Sequence, residues 1–124
     1  MLKPSDRIEG AKASVLRTVA EAGPNACPPG IIGVGIGGNF ETAPLLAKRA
    51  LMRKAGQPNP DPRLAELEQD LVERSNALGL GPQALGGTQT VLPVHEETMP
   101  THIASLPVAV NVECHAHRTG IRVL

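Results

Sequence analysis

Aromatic side chains are nearly missing from this sequence: there is one phenylalanine, Phe40, and no tryptophan or tyrosine. Aromatics usually bury the largest areas in a core, so this core has to be built from Ala, Val, Leu and Ile. A domain of 124 residues buries only about two-thirds of the surface its unfolded chain exposes. Apolar surface is therefore expected to be completed by another chain or by a further part of the same protein. An excess of charge is missing too. Twelve basic and twelve acidic residues cancel, which leaves neither the basic footprint of a nucleic-acid binder nor an acidic tail. No apolar run approaches the roughly 20 residues that would span a bilayer. The opening "MLKPSDRIEG" has no apolar stretch of the secretory kind, so a cytoplasmic location is expected. Cysteine is scarce, with only Cys27 and Cys114. Without an export signal, a disulfide is the less expected use of such a pair. Inert buried thiols and metal or cluster ligation both stay open.

What is present reads as one α/β unit covering residues 1–124. Ser5 or Asp6 can cap a first helix, and Ile8, Ala11, Val15, Val19 and Ala22 recur at helical spacing along it. Gly23 and Pro24 end it. Pro28 and Pro29 stiffen the loop that follows. "IIGVGIGG", residues 31–38, alternates bulky residues with glycine and predicts a strand with a bare face at Gly33, Gly35 and Gly37. Such a face marks close approach by another backbone or by a ligand. Asn39 or Thr42 starts a second helix, closed by Gly56. The proline-rich "QPNPDP" is a loop. A third helix carries Leu64, Leu67, Leu71 and Leu78, with Gly79 as its cap and Glu66, Glu68, Asp70 and Glu73 on a solvated face. Strands are expected near 88–96 and over 108–114. Pro93 puts the former at an edge or interrupts it, and "GIRVL" suggests a short final strand. The order is helix, strand, helix, helix, strand, strand: a mixed sheet with helices packed on it.

Three groups of residues could carry chemistry. The glycine ladder before a helix resembles an anion cradle, but Phe40 stands where the dinucleotide motif G-x-G-x-x-G needs its last glycine, so tight backbone packing is the better reading. His95, His102, His115 and His117 gather around Cys114, yet without the paired spacing of a zinc site. Cys27 precedes a strand and Cys114 ends one, and ligands gather at strand ends in α/β domains. Iron–sulfur clusters are held by cysteine thiolates, normally four, and two are short of that.

Three blocks, "CPPGIIGVGIGGNFETAPLLAKRAL", "LGLGPQALGGTQTVLPVH" and "PTHIASLPVAVNVECHAHR", resemble the iron–sulfur class I fumarate hydratases. The closer likeness is to the alpha subunit of their two-subunit form, shared with L(+)-tartrate dehydratase. The opening "PSDR" resembles the family's "PSDG", with Arg7 at the last position. The resemblance implies a hydro-lyase holding a [4Fe-4S] cluster on three cysteines. Cys27 and Cys114 match two of these, and His102 matches a histidine placed at the substrate. It implies a small dicarboxylate substrate: fumarate and malate interconverted by hydration, or tartrate dehydrated to oxaloacetate. It covers the later half of an alpha subunit. The third cysteine, further substrate-binding residues and the catalytic base are thus expected from another alpha segment and a beta-type subunit or domain, in a homo- or hetero-oligomer. On this reading residues 1–124 are a partial domain, inactive alone. The alternative is a non-catalytic remnant that binds a partner subunit, or a metal such as zinc through Cys114 and its histidines.

Overall fold

The computed structural model describes residues 1–117 and 120–124. Its elements run α1 (Arg7–Ala22), β1 (Gly30–Gly38), α2 (Thr42–Ala50), α3 (Pro62–Asn76), β2 (Val91–Thr101) and β3 (Val108–Glu113). Short 3-10 turns at Pro4–Asp6, Gly23–Ala26, Pro82–Ala84 and His115–His117 join or flank them. The sheet has three strands in the order β2-β1-β3, with β2 parallel and β3 antiparallel to β1. The expected α/β class and mixed sheet are therefore what the chain adopts.

β1 is central because both its faces are covered. Its bulky residues, Ile32 and Val34, pack with Val91 and Val94 of β2 against Val15 and Val19 of α1 and Leu67 and Leu71 of α3. Gly33 and Gly35 face α2, while Gly37 meets the backbone of Met99 in β2. A Cβ added at Gly33 or Gly35 would overlap the carbonyl oxygens of Ala47 and Ala43. The ladder is thus filled by a helix backbone, and no space is left on it for a ligand. α2 buries its own small residues, Ala43, Ala47 and Ala50, toward the strand. Small against absent side chains is how two backbones come this close.

The helix ends follow local chemistry. Asn39 Oδ1 accepts from the amides of Glu41 and Thr42, each at 2.9 Å, and Thr42 Oγ1 accepts from Asn39 N at 2.8 Å. α2 stops at Ala50, short of Gly56. Asp61 caps α3, with Oδ1 accepting from Arg63 N at 2.9 Å, and Pro62 takes the first turn, where a missing N–H is harmless. α3 ends at Asn76 because its side chain turns back on the sheet: Oδ1 accepts from Thr90 N at 2.7 Å and Val91 N at 2.9 Å. Leu78 therefore falls outside the helix and is half-exposed. Both alternatives for Pro93 hold: β2 is an edge strand, and its register with β1 shifts between the pairs Gly30/Val91 and Ile32/Val94; it runs on to Thr101. Residues 120–124 form no strand. Phe40, the single aromatic, is 70% exposed, so the core is wholly aliphatic. Leu45, Met52 and Ile103 are exposed as well. No helix among the described residues is long and apolar enough to cross a membrane.

Candidate functional site

The two thiols, 87 positions apart, come to one end of the sheet. Pairing of Ile31 with Glu113 sets Cys114 beside the entry to β1, and Cys27 lies three residues before that entry. Cys27 follows the Gly23–Ala26 turn in a left-handed conformation (φ 48°, ψ 60°), its amide donating to Pro24 O at 3.0 Å. Its loop is tied down twice: Gln83 N donates to Pro28 O at 2.8 Å, and His115 Nδ1 lies 2.9 Å from Cys27 O. A carbonyl can only accept, so this nitrogen of His115 carries the proton. Cys114 Sγ accepts from Ala116 N at 3.4 Å. Neither cysteine is in a disulfide; Cys27 is exposed and Cys114 half-buried. Among the described residues no three Cys, His, Asp or Glu side chains form a group able to hold a metal. The donor set is thus two accessible thiols at one place. That fits part of a cluster site, which by the thiolate norm needs more sulfur than this.

The histidines do not join the thiols as a set. His102 follows β2, at the other end of the sheet. β1 is nine residues long, so at about 3.3 Å per residue the two ends lie roughly 25 Å apart. His95 is buried at 2% exposure, beside Gly33 in the register. The His117 side chain lies outside the described residues. His115 touches the cysteine loop, through Cys27 O.

His102 has its own setting. Ala104 N donates to its Nδ1 at 3.1 Å and Ser105 N to its carbonyl at 3.0 Å, so the ring proton sits on Nε2. Thr101 Oγ1 donates to Gly38 O at 2.9 Å and lies 3.1 Å from Ser105 Oγ. These residues line a cavity of about 300 Å³ together with Arg7, Ile8, Ile36 and Leu106. Arg7 has φ 50° and ψ −154°, a region that glycine alone adopts freely and that costs another residue about 1–3 kcal/mol. It is also a cation in the first turn of α1, against the helix dipole. Helical periodicity gives no hint of this residue's place.

A third cluster lies along the outer edge of β2. Glu68, expected on a solvated face, is buried at 6% exposure. Its Oε1 accepts from Asn59 Nδ2 at 2.9 Å and Glu96 N at 2.7 Å, and pairs with Arg53. Leucine spacing could not reveal this, because the partners Arg53 and Asn59 come from the loop. The Glu96 carboxyl is 1% exposed, with neither oxygen hydrogen-bonded among the described residues. Burial, and then the charge of Glu68, push its pKa up to about 7, with Arg53 pulling the other way.

Comparison with known proteins adds to this geometry. The family model described as fumarate hydratase (Fumerase) matches residues 1–122. The chain is 49% identical over 122 residues to a protein of Methanocaldococcus jannaschii named putative L(+)-tartrate dehydratase subunit alpha, covering 98% of this chain and 43% of that one. It is 42% identical over 120 residues to the L(+)-tartrate dehydratase subunit alpha of Escherichia coli K12, covering 97% and 40%. The chain thus spans about two-fifths of the length of these relatives.

Proposed function

The chain belongs to the fumarate hydratase (Fumerase) family, and from that premise we propose that it is part of a cytoplasmic iron–sulfur hydro-lyase acting on a small hydroxy-dicarboxylic acid. The reaction is reversible loss of water, malate to fumarate or tartrate to the enol of oxaloacetate. Cys27 and Cys114 are two thiolate ligands of a [4Fe-4S] cluster. When bound, a cluster iron open to substrate supplies a Lewis acid for the hydroxyl group. The third cysteine comes from alpha-subunit sequence outside these residues, and a beta-type partner completes the substrate site, so the chain alone is inactive. The relatives' names, each an alpha subunit, support a partner of this kind.

One observation carries the reading: the only two cysteines, remote in sequence, flank the same strand end, joined through the His115 contact to Cys27 O at 2.9 Å. The loop holds Cys27 in one backbone conformation, so little freedom is lost when its sulfur binds. His102 cannot reach a centre roughly 25 Å away at the other end of the sheet. In this proposal the substrate that His102 meets is therefore held by another chain of a homo- or hetero-oligomer.

Anaerobic reconstitution with iron and sulfide tests it. Together with a complementary alpha segment and a beta subunit, the chain should develop broad brown cluster absorption and dehydratase activity. Cys27→Ser and Cys114→Ser should each abolish both. Uptake of one zinc per chain with no response to iron would instead favour a metal-binding remnant, and fumarate hydration by the chain alone would refute the need for partners.

A further inference from the structure

The two edges of the sheet are finished differently. The outer edge of β2 is blocked: Glu68 Oε1 accepts from Glu96 N at 2.7 Å, Asn59 Nδ2 donates to Glu96 O at 3.1 Å, and Pro93 offers no amide to pair. Open sheet edges pair with other chains, and devices of this kind prevent it. β3 has none of them. Its six residues include no proline, lysine or arginine, and its register with β1 runs from Ile36/Val108 to Ile31/Glu113 without a shift. Gly37 N donates to Pro107 O at 2.9 Å. Bonded pairs alternate along an antiparallel ladder, so Ala109, Asn111 and Glu113 turn their backbone groups to β1. Val108, Val110 and Val112 turn theirs away, and on that side none of the three has a backbone partner among the described residues. Their side chains are only half-buried, although Val110 and Val112 pack on the aliphatic core.

Leu2 gives the direction in which this gap is filled. It forms an antiparallel bridge with Leu106, its amide donating to Leu106 O at 3.0 Å. Leu106 stands two residues before Val108 and so faces the same outer side. An antiparallel neighbour of Leu106 reaches Val108, Val110 and Val112 in the direction that leads back through Met1. A second β3 laid symmetrically along this edge about Val110 would run on into the place Leu2 holds. We propose that β3 is an inner strand of a larger sheet in the assembled protein, and that the strand beside it is alpha-subunit sequence from outside these residues, antiparallel to β3 and running toward Met1. The identity of that strand rests on the reading above that further alpha sequence completes the domain, whereas the open edge does not. This chain covers 43% of the Methanocaldococcus jannaschii relative, which leaves sequence enough to supply it. The added strand carries β-branched apolar residues at alternate positions, because it extends the face formed by Val108, Val110 and Val112.

The test is amide hydrogen exchange, read by NMR on the full 124-residue chain without iron or sulfide. The probe is the part of the Methanocaldococcus jannaschii protein outside its 122 matched residues, co-expressed as a separate polypeptide. In the chain alone the amides of Val108, Val110 and Val112 should exchange fast while Ala109 and Asn111 are protected, because only the latter bond to β1. The probe should slow the three valines by about tenfold or more. Val110→Pro removes an outward amide that the three-stranded sheet does not use, so it should still melt cooperatively but no longer hold the probe. Val108→Pro, at the first residue of the strand where proline is tolerated, supplies the same reading if Val110→Pro does not fold. Unchanged exchange at the three valines, protection gained evenly along all of β3, or undiminished association of a folded proline variant would each overturn the assignment. Slow exchange at the valines in the chain alone, together with the mass of a dimer, would overturn it in favour of a second copy on this edge. No iron enters the measurement, so failure of cluster reconstitution leaves it untouched and the two proposals fall separately.

Discussion

The two faces of the sheet are buried equally deeply and built in opposite ways. On one, Gly33 and Gly35 let α2 descend until its carbonyls meet the strand backbone. On the other, Ile32, Val34, Val91 and Val94 interlock with α1 and α3 through aliphatic side chains, and at the edge of the same sheet Glu68 and Glu96 are buried too. Depth alone therefore does not say what a position tolerates. The glycine face is limited by volume, because what it touches is backbone and cannot rotate away. The buried edge around Glu68 and Glu96 is limited by charge, because the ionised form of a group there has lost its water.

The contrast breaks most sharply at Gly35. A side chain there would meet Ala43 O, Ala47 N and Leu46 Cβ together. Gly35→Val should cost roughly 4 kcal/mol or more, since α2 has to lift off the sheet. Circular dichroism should show loss of cooperative melting. A variant as stable as the parent would mean that α2 is not seated as described.

Glu96 tests the charged side of the comparison. Its pKa of about 7 in the folded chain lies above the ordinary 4.5. Between those values the folded state holds more protons than the unfolded one, so stability falls as pH rises through this window. The Glu96 contribution is intact below about pH 4.5 and lost above about pH 7, a difference of about 3 kcal/mol. Asp61 and Asp70 do not blur the window. Arg63 and Lys12 respectively hold their carboxyls below the usual range, so they matter only in more acidic solution. Denaturant melts at pH 5 and pH 8 should show the fall, and Glu96→Met, which keeps the volume without the charge, should flatten it.

The smallest effect belongs to ordinary packing. Val34→Ala removes two methyl groups from a site with no exposure and should cost about 2 kcal/mol, transfer and cavity together. Urea midpoints would rank it well below Gly35→Val, its neighbour on the opposite face.

Much of this arrangement was legible beforehand, and particular residues show why. The alternation of bulky residue and glycine over 31–38 predicted a strand with a bare face, because side chains in a strand alternate sides regardless of what lies beyond. The stripe of Ala11, Val15 and Val19 predicted α1 by the same kind of local rule, and all three are buried. Pro93 pointed to an edge strand, because a missing amide proton is missing wherever the strand lies. The family, too, was readable from contiguous blocks.

What covers the bare face was not readable, nor was the side of α3 that Glu68 would take, nor which ends of the strands would coincide. Cys27 and Cys114 came together only because β3 returns antiparallel along β1, with Ile31 opposite Glu113. His102 was carried to the other end because β2 runs parallel. Its nearness in sequence to Cys114 says nothing of that. Periodicity, caps and turn residues act over a few positions, and the chain alone determined them. Strand direction and register are settled by burial summed over the whole sheet, where a slip of one residue would turn every core side chain outward, and so only the tertiary structure decided where the thiols, the histidine and the buried carboxyls stand.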